Sequence, residues 1–164
     1  MREDVGVVGA KLLYEDDTIQ HAGVVIGIGG FAGHVFVGLD KDDYGYMVRP
    51  RINCNYSAVT AACMMTPKED FLSVGGFTEE FAVALNDVDY CLKIREKGKW
   101  VVYNAFSLWH HYESKSRGYE DTPEKIRRFE NEINKFRKKW KEILDNGDPF
   151  YNSNFSLEKE PFNL

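Results

Sequence analysis

One apolar stripe near the carboxyl end of the chain constrains its fold more than any other sequence feature. Between residues 122 and 146, large apolar side chains recur every three or four positions, at Ile126, Phe129, Ile133, Phe136, Trp140 and Ile143. This period places them on one face of an α-helix, and that face must be covered by the rest of the chain. Thr122 and Pro123 are typical of a helix start, and Gly147 is typical of a helix end. The pattern therefore predicts one long helix over residues 122–146.

Shorter apolar runs rich in β-branched residues precede this helix and predict strands. The predicted strands cover Val5 to Leu13, Thr18 to Ile28, Tyr56 to Met65 and Trp100 to Trp109. Two further helices are predicted, a short one between Pro67 and Gly75-Gly76 and a longer one from Asn86 to Gly98. Residues 31–52 are predicted as a long surface loop and residues 150–164 as a loosely held tail. This order predicts an α/β fold in which helices flank a mixed sheet.

The composition excludes several classes of protein. Apolar residues make up 43% and charged residues 29% of the 164 positions, which excludes an intrinsically disordered chain. The net charge of −5 gives no basic footprint, so we expect no nucleic-acid partner. The uncharged stretch from Ile52 to Pro67 is interrupted by polar residues and falls short of the roughly 18 apolar residues of a membrane span. Three cysteines without a CxxC pair favour reduced thiols and a cytoplasmic location.

The first candidate for chemistry is the acidic block at the start of the second predicted helix, Asn86-Asp87-Val88-Asp89. Asp87 and Asp89 are two positions apart, so their side chains diverge by roughly 200° and cannot point into one site. Asp89 is predicted to form a surface ion pair with Lys93, four residues later. Asp87 lies where the helix dipole favours a negative charge, and both a catalytic role and a role as a helix cap fit this position.

The second candidate is the block Trp109-His110-His111-Tyr112-Glu113-Ser114, which follows a predicted strand. Its histidines and carboxylate could bind a metal or transfer protons. Neighbouring residues of a strand point to opposite faces, so at most one of His110 and His111 should serve a given site. A pair of structural histidines explains the same pattern. His21 and His34 are isolated in the sequence and are predicted to be structural.

Taken in order, several blocks resemble the C-terminal half of a family 2 glycosyltransferase with the GT-A fold. The similar subgroup contains rhamnosyltransferase-like enzymes and transferases of O-antigen and cell-wall synthesis. The resemblance covers about residues 5 to 140. The blocks that carry it are Val8 to Tyr14, Thr18 to Val25, Thr60 to Cys63, Val74 to Phe77, Asn86 to Lys93, Gly98, and Trp109 to Ser114 with Ser116-Arg117-Gly118.

The resemblance implies transfer of a sugar, with inversion, from a nucleotide-diphospho-sugar to a glycan or lipid-linked acceptor in cell-surface polysaccharide synthesis. Asp87 would be the catalytic base that removes the proton of the acceptor hydroxyl. The substrate-binding residues would be Thr60, Gly75, Gly76, Asn86 and Asp89. Mg²⁺ or Mn²⁺ would neutralise the leaving diphosphate. A histidine would join that metal, with His110 in the best-matching position and His111 as the second choice.

The same resemblance predicts how the chain is organised. Residues 1–146 would be the acceptor-side part of a GT-A domain, and residues 147–164 would be a C-terminal tail. The nucleotide-binding half and its DxD motif should precede residue 5, and Asp40-Lys41-Asp42 has those letters in the wrong place. We therefore expect this chain to be a fragment that lacks transferase activity alone.

The expected location is the cytoplasm, and the cytoplasmic face of the membrane is an alternative. The long predicted helix carries eight basic and five acidic residues, which would suit an anionic membrane surface. A solvated helix face explains the same charges, and homo-oligomer formation is also left open.

Two alternatives belong to other classes of function. A divalent-metal hydrolase could use Asp87, His110 and Glu113, and would bind metal in the isolated chain. A non-catalytic carbohydrate-binding domain could use the aromatic residues, which make up 14% of the chain, and would bind sugar without a nucleotide or a metal.

Overall fold

The fold combines one mixed sheet, a separate hairpin and helices that pack around them. The structure, a computed structural model, describes residues 2–112, 122–158 and 161–162. The strands are β1 (Val5–Leu13), β2 (Ile19–His21), β3 (Val24–Ile26), β4 (Ala32–His34), β5 (Cys54–Asn55), β6 (Met64–Met65) and β7 (Trp100–His110). The helices are α1 (Lys68–Ser73), α2 (Asn86–Glu96), α3 (Pro123–Lys139) and α4 (Lys141–Asn146). The predicted α/β class with a mixed sheet is confirmed.

The sheet is organised around the parallel pairing of β1 with β7. Its strand order is β2-β1-β7-β5, and β6 also pairs with β1. The pairings of β2 and β6 with β1, and of β5 with β7, are antiparallel. Because β1 and β7 run in the same direction, their carboxyl ends meet at one edge, where Leu13 lies opposite His110. That edge is the usual place for a ligand site in an α/β sheet.

The predictions for β1 and β7 are confirmed, whereas two other predicted strands are broken. The segment from Thr18 to Ile28 forms β2 and β3, separated at Gly23, whose φ is +115°. A Cβ on Gly23 would lie 2.5 Å from the Tyr56 ring, so only glycine fits this bend. The segment from Tyr56 to Met65 is not one strand, because its hydrogen bonds go to two different partners. The Tyr56 N–H donates to the Val101 carbonyl in β7, whereas the Ala58 carbonyl accepts from the Val24 N–H in the hairpin. A turn follows at Thr60, before β6.

The predicted loop over residues 31–52 is largely irregular but contains β4 and a 3₁₀ turn over Tyr46–Arg51. The hairpin formed by β3 and β4 pairs Val25 with Gly33 and stands apart from the main sheet. The hairpin matters for the site because β4 ends at His34.

The helix predictions are confirmed except at one point. Helices α1 and α2 follow the predicted segments, and Thr122 caps α3 by accepting a hydrogen bond from the Lys125 N–H. The predicted long helix divides at Trp140, which has φ −106° and ψ 27° and separates α3 from α4. Trp140 is 5% exposed and its indole N–H donates to Asp89. Within the described ranges, no helix is long and apolar enough to cross a membrane.

The carboxyl-terminal segment is packed against the domain, contrary to the prediction of a loosely held tail. The carboxylate of Asp148 accepts a 2.7 Å hydrogen bond from the Ile26 N–H, and the Leu157 carbonyl accepts one from Gly29. Tyr151 is buried, and the Phe162 N–H donates to its hydroxyl. Hydrogen bonds and a buried aromatic side chain therefore hold the described part of this segment against the domain, although it has little regular structure.

Asp89 is a buried junction, which corrects the prediction of a surface ion pair with Lys93. The pair exists at 3.6 Å, but the Asp89 side chain is fully buried. Its oxygens accept hydrogen bonds from the Thr78 hydroxyl at 2.6 Å and the Trp140 indole at 2.8 Å. Lys139 lies 2.6 Å away. One carboxylate thus joins α2 to the end of α3 and to the loop before α2.

Replacing Asp89 should destabilise the folded protein. We expect Asp89→Ala to lower the free energy of unfolding by about 3–5 kcal/mol, because it removes one partner of a buried charged network. Urea unfolding followed by circular dichroism measures the change. The matched control is Asp145→Ala, which removes the carboxylate of an exposed ion pair with Lys141 and should cost no more than about 0.5 kcal/mol. Equal effects of the two substitutions would contradict this role of Asp89.

Candidate functional site

A cavity of about 700 Å³ lies beside the carboxyl end of β7. Four parts of the fold contribute to its wall: the hairpin of β3 and β4, the turn at Thr60, the start of α2, and α3. His111, which directly follows β7, completes the wall. Three of the residues expected in the site, Thr60, Asn86 and Asp87, line this cavity together with His111.

Asp87 is held at the cavity by main-chain hydrogen bonds. Its Oδ2 accepts from the Ala61 N–H at 3.0 Å and its Oδ1 accepts from the Val88 N–H at 2.8 Å. A carboxylate offers about four acceptor positions, so two donors orient the group and leave capacity for a ligand. The first contact also ties the turn at Thr60 to α2. Asp87 therefore acts as a structural link and presents a carboxylate to the cavity.

The opposite orientation of Asp87 and Asp89 is confirmed. Asp87 lines the cavity, whereas Asp89 is fully buried on the other side of α2, against Trp140 and Lys139. Asp89 does not line the cavity, and its expected role in substrate binding stays a prediction. Its contacts with Thr78, Trp140 and Lys139 hold its side chain away from the cavity.

The two neighbouring histidines point to different surroundings, as strand geometry requires. His111 lines the cavity and its Nδ1 lies 2.8 Å from Oε1 of Gln20. His110, the first choice as metal ligand, is placed elsewhere: its Nε2 lies 2.7 Å from Oδ1 of Asp17. Asp17 is also paired with Lys41 at 2.5 Å. The structure therefore brings His111, and not His110, together with Asp87.

Gly75 and Gly76 end α1 and do not line the cavity. Both have positive φ values, +74° and +65°, which suits a helix terminus. The Gly76 carbonyl accepts a 2.5 Å hydrogen bond from Lys93, so this turn belongs to the packing around α2. Their expected role in substrate binding stays a prediction. Glu113 and Ser114 of the second candidate block, and Ser116-Arg117-Gly118, lie outside the described residues.

Sequence reasoning missed the contribution of α3 to the site. Arg128, Phe129 and Glu132 line the cavity, and Glu132 is only 2% exposed. Its carboxylate accepts a 2.7 Å hydrogen bond from the Ala84 N–H and thereby fixes the loop before α2. One signal was available: Glu132 lies three residues after Phe129 and beside Ile133, so it borders the apolar stripe. A carboxylate in that position needs a partner inside the fold.

The described residues do not provide a ligand set for the expected Mg²⁺ or Mn²⁺. Among them, no three His, Cys, Asp or Glu side chains come together closely enough to hold a metal ion. His110 and Asp87 have separate surroundings, so the predicted hydrolase site with Glu113 is not assembled from its described members. A metal-binding role for His110 or His111 stays a prediction.

His21 lies fully buried beneath the cavity. Its Nε2 accepts a 3.4 Å hydrogen bond from the Thr60 N–H, and its ring meets His34 edge-on with centroids 4.8 Å apart. Within the described part of the chain, its Nδ1 has no hydrogen-bond partner. Burial, with a smaller contribution from His34, lowers the pKa of His21 well below its usual 6.5. His21 is thus a neutral structural support for the turn at Thr60, as predicted.

Comparison with known proteins gives two relatives. The chain is 49% identical over 164 residues to the Uncharacterized protein y4gI of Sinorhizobium fredii, covering 99% of this chain and 18% of that protein. It is 38% identical over 160 residues to the O-antigen biosynthesis protein RfbC of Myxococcus xanthus, covering 95% and 12% respectively. The chain therefore spans less than a fifth of either relative. No family model and no solved structure matches it.

Because His21 is buried, the free energy of unfolding should decrease as the pH is lowered. Because the folded pKa lies below the unfolded one, the unfolded chain takes up the proton first as the pH falls below about 6.5. Stability is then lost by up to about 1.4 kcal/mol per pH unit. We expect the free energy of unfolding to fall more steeply between about pH 6.5 and 5 in the wild type than in His21→Gln. Urea unfolding at a series of pH values measures both slopes, and parallel slopes would contradict the assignment.

Proposed function

We propose that this chain forms the acceptor-side part of a family 2 inverting glycosyltransferase with the GT-A fold. The observation that carries the proposal is Asp87, a carboxylate oriented by the Ala61 and Val88 N–H groups and exposed to a 700 Å³ cavity. The similarity to a protein named for O-antigen biosynthesis supports polysaccharide synthesis as the setting. The acceptor would be a glycan or a lipid-linked sugar.

In the proposed reaction, Asp87 is the general base. An acceptor hydroxyl donates a hydrogen bond to the carboxylate and loses its proton to it as the hydroxyl oxygen attacks the anomeric carbon. The bond from that carbon to the nucleotide diphosphate breaks, and the diphosphate leaves with the electron pair. Attack on the face opposite the leaving group inverts the anomeric centre. The two main-chain donors hold Asp87 in place, so little reorganisation is needed during the transfer.

The cavity residues suit an acceptor better than a nucleotide. Thr60, Asn86 and His111 supply hydroxyl, amide and imidazole groups, which form hydrogen bonds with sugar hydroxyls. Phe31 and Phe129, packed edge-to-face at 5.9 Å, add apolar wall area for a sugar ring. We propose that the nucleotide-diphospho-sugar is bound by residues outside this chain, at the cytoplasmic side of the membrane.

The catalytic role of Asp87 can be tested in a protein that joins this chain to the proposed nucleotide-sugar-binding half. We expect Asp87→Asn to lower kcat by about 10²–10⁴-fold, the usual contribution of a general base, while the affinity for the donor stays unchanged. Asparagine keeps the shape and one acceptor oxygen, so it can retain one of the two main-chain hydrogen bonds. Transfer of labelled sugar to acceptor and calorimetry with the donor measure the two quantities.

The control is Asp145→Asn, which changes an exposed carboxylate on α4 and should leave kcat unchanged. The isolated 164-residue chain should show no transfer from any nucleotide sugar. Near-normal turnover by Asp87→Asn would show that Asp87 is not the catalytic base and only links the turn at Thr60 to α2. Transfer by the isolated chain would contradict the proposed division between donor and acceptor halves.

A further inference from the structure

Gln20 connects two histidines of the cavity. It lies in β2 and is 4% exposed. Its side-chain oxygen Oε1 is 2.8 Å from Nδ1 of His111, and its main-chain carbonyl oxygen is 3.2 Å from Nδ1 of His34. Both imidazoles line the cavity. Gln20 thus contacts the Nδ1 atom of each of two histidines, which lie far apart in the sequence.

A second contact fixes the orientation of the Gln20 amide. Its Nε2 donates a 3.2 Å hydrogen bond to the main-chain carbonyl of His111. A carbonyl oxygen only accepts, so the amino group must face it, and the amide oxygen must then face the imidazole. Because this amide oxygen also only accepts, Nδ1 of His111 must carry a hydrogen. The same reasoning applies to His34, whose partner is the Gln20 carbonyl.

The location of these hydrogens determines what the rings offer to a ligand. A neutral imidazole has one N–H, so Nε2 of each ring keeps its lone pair. In the described part of the protein, no residue binds Nε2 of His111 or His34. A lone pair accepts a hydrogen bond from a hydroxyl group and repels a phosphate oxygen. It would also bind a metal ion, but the described residues bring no set of three metal ligands together. The cavity therefore offers two acceptors that suit a hydroxyl-rich ligand.

We propose that Gln20 is a positioning residue that holds His111 and His34 as Nδ1–H imidazoles, so that their Nε2 atoms accept hydrogen bonds from the hydroxyl groups of the acceptor sugar. The identity of the ligand rests on the proposed function, whereas the hydrogen positions do not. Asp87 removes the proton of the reacting hydroxyl, and the two imidazoles orient the hydroxyls that do not react. Their number and direction restrict which acceptors fit.

The hydrogen positions can be measured directly in this chain. Long-range ¹H–¹⁵N correlation spectra, recorded at about pH 8, distinguish a protonated from an unprotonated ring nitrogen. We expect Nδ1–H imidazoles at His34 and His111 in the wild type. In Gln20→Met, His111 loses its acceptor and should change to the Nε2–H form, whereas His34 keeps the main-chain carbonyl and its Nδ1–H form.

The variant Gln20→Glu serves as the matched control, because a carboxylate still accepts from His111 Nδ1. It should retain Nδ1–H at both rings, while losing only the bond to the His111 carbonyl. An unchanged His34 signal also reports that the variant is folded. An Nε2–H form of His111 in the wild type, or an Nδ1–H form in Gln20→Met, would overturn the proposal; the wild-type measurement decides even if Gln20→Met fails to fold.

The role in acceptor binding is tested by steady-state transfer in the same joined protein. We expect Gln20→Met to raise the acceptor KM by about 2–10-fold, the effect of losing one hydrogen bond to the acceptor, with the donor KM unchanged. Gln20→Glu should largely restore the acceptor KM. An unchanged acceptor KM in Gln20→Met would overturn the role in binding. Absence of transfer by the wild type would refute the proposed function and leave the spectroscopic result standing.

Discussion

The rotation of α2 about its own axis depends on one buried carboxylate. Asp89 is held in the interior by Thr78, Trp140 and Lys139, and a charge with these partners cannot turn toward solvent without losing them. Because residues two positions apart on a helix diverge by about 200°, anchoring Asp89 directs Asp87 to the opposite side. The interior of the protein thus determines where its candidate catalytic group points.

The cavity is assembled from segments that only the sheet brings together. Parallel pairing places Leu13 beside His110, and the antiparallel β2 then positions Gln20 next to His111. Main-chain groups of these segments orient the side chains: the Ala61 N–H binds Asp87 and the His111 carbonyl fixes the Gln20 amide. Main-chain positions are set by the fold as a whole, so polar groups held in this way are more precisely placed than groups held by exposed side chains.

Sequence reasoning succeeded where the signal is local and failed where partners come from distant segments. Strand and helix periods predicted β1, β7 and α2, and the angle between Asp87 and Asp89 followed from the helical period alone. The helical period could not show that the last helix divides at Trp140. This residue still fits the three- or four-residue spacing of the apolar stripe, although its indole binds Asp89. Strand alternation predicted that one histidine of the pair serves a site. Identifying His111 required its partner Gln20, which belongs to a strand 91 positions earlier.

The parallel pairing of β1 and β7 also bears on the order in which the protein is synthesised and folds. β1 is apolar and almost wholly buried, yet Val8 pairs with Val102 and Leu12 with Trp109, residues that leave the ribosome much later. Until then, β2 and β6 are the neighbours that can cover it, because both precede β7 in the chain. Contacts between such distant residues slow folding. The two short antiparallel partners are therefore the only sheet neighbours of β1 among the described strands that are synthesised before β7.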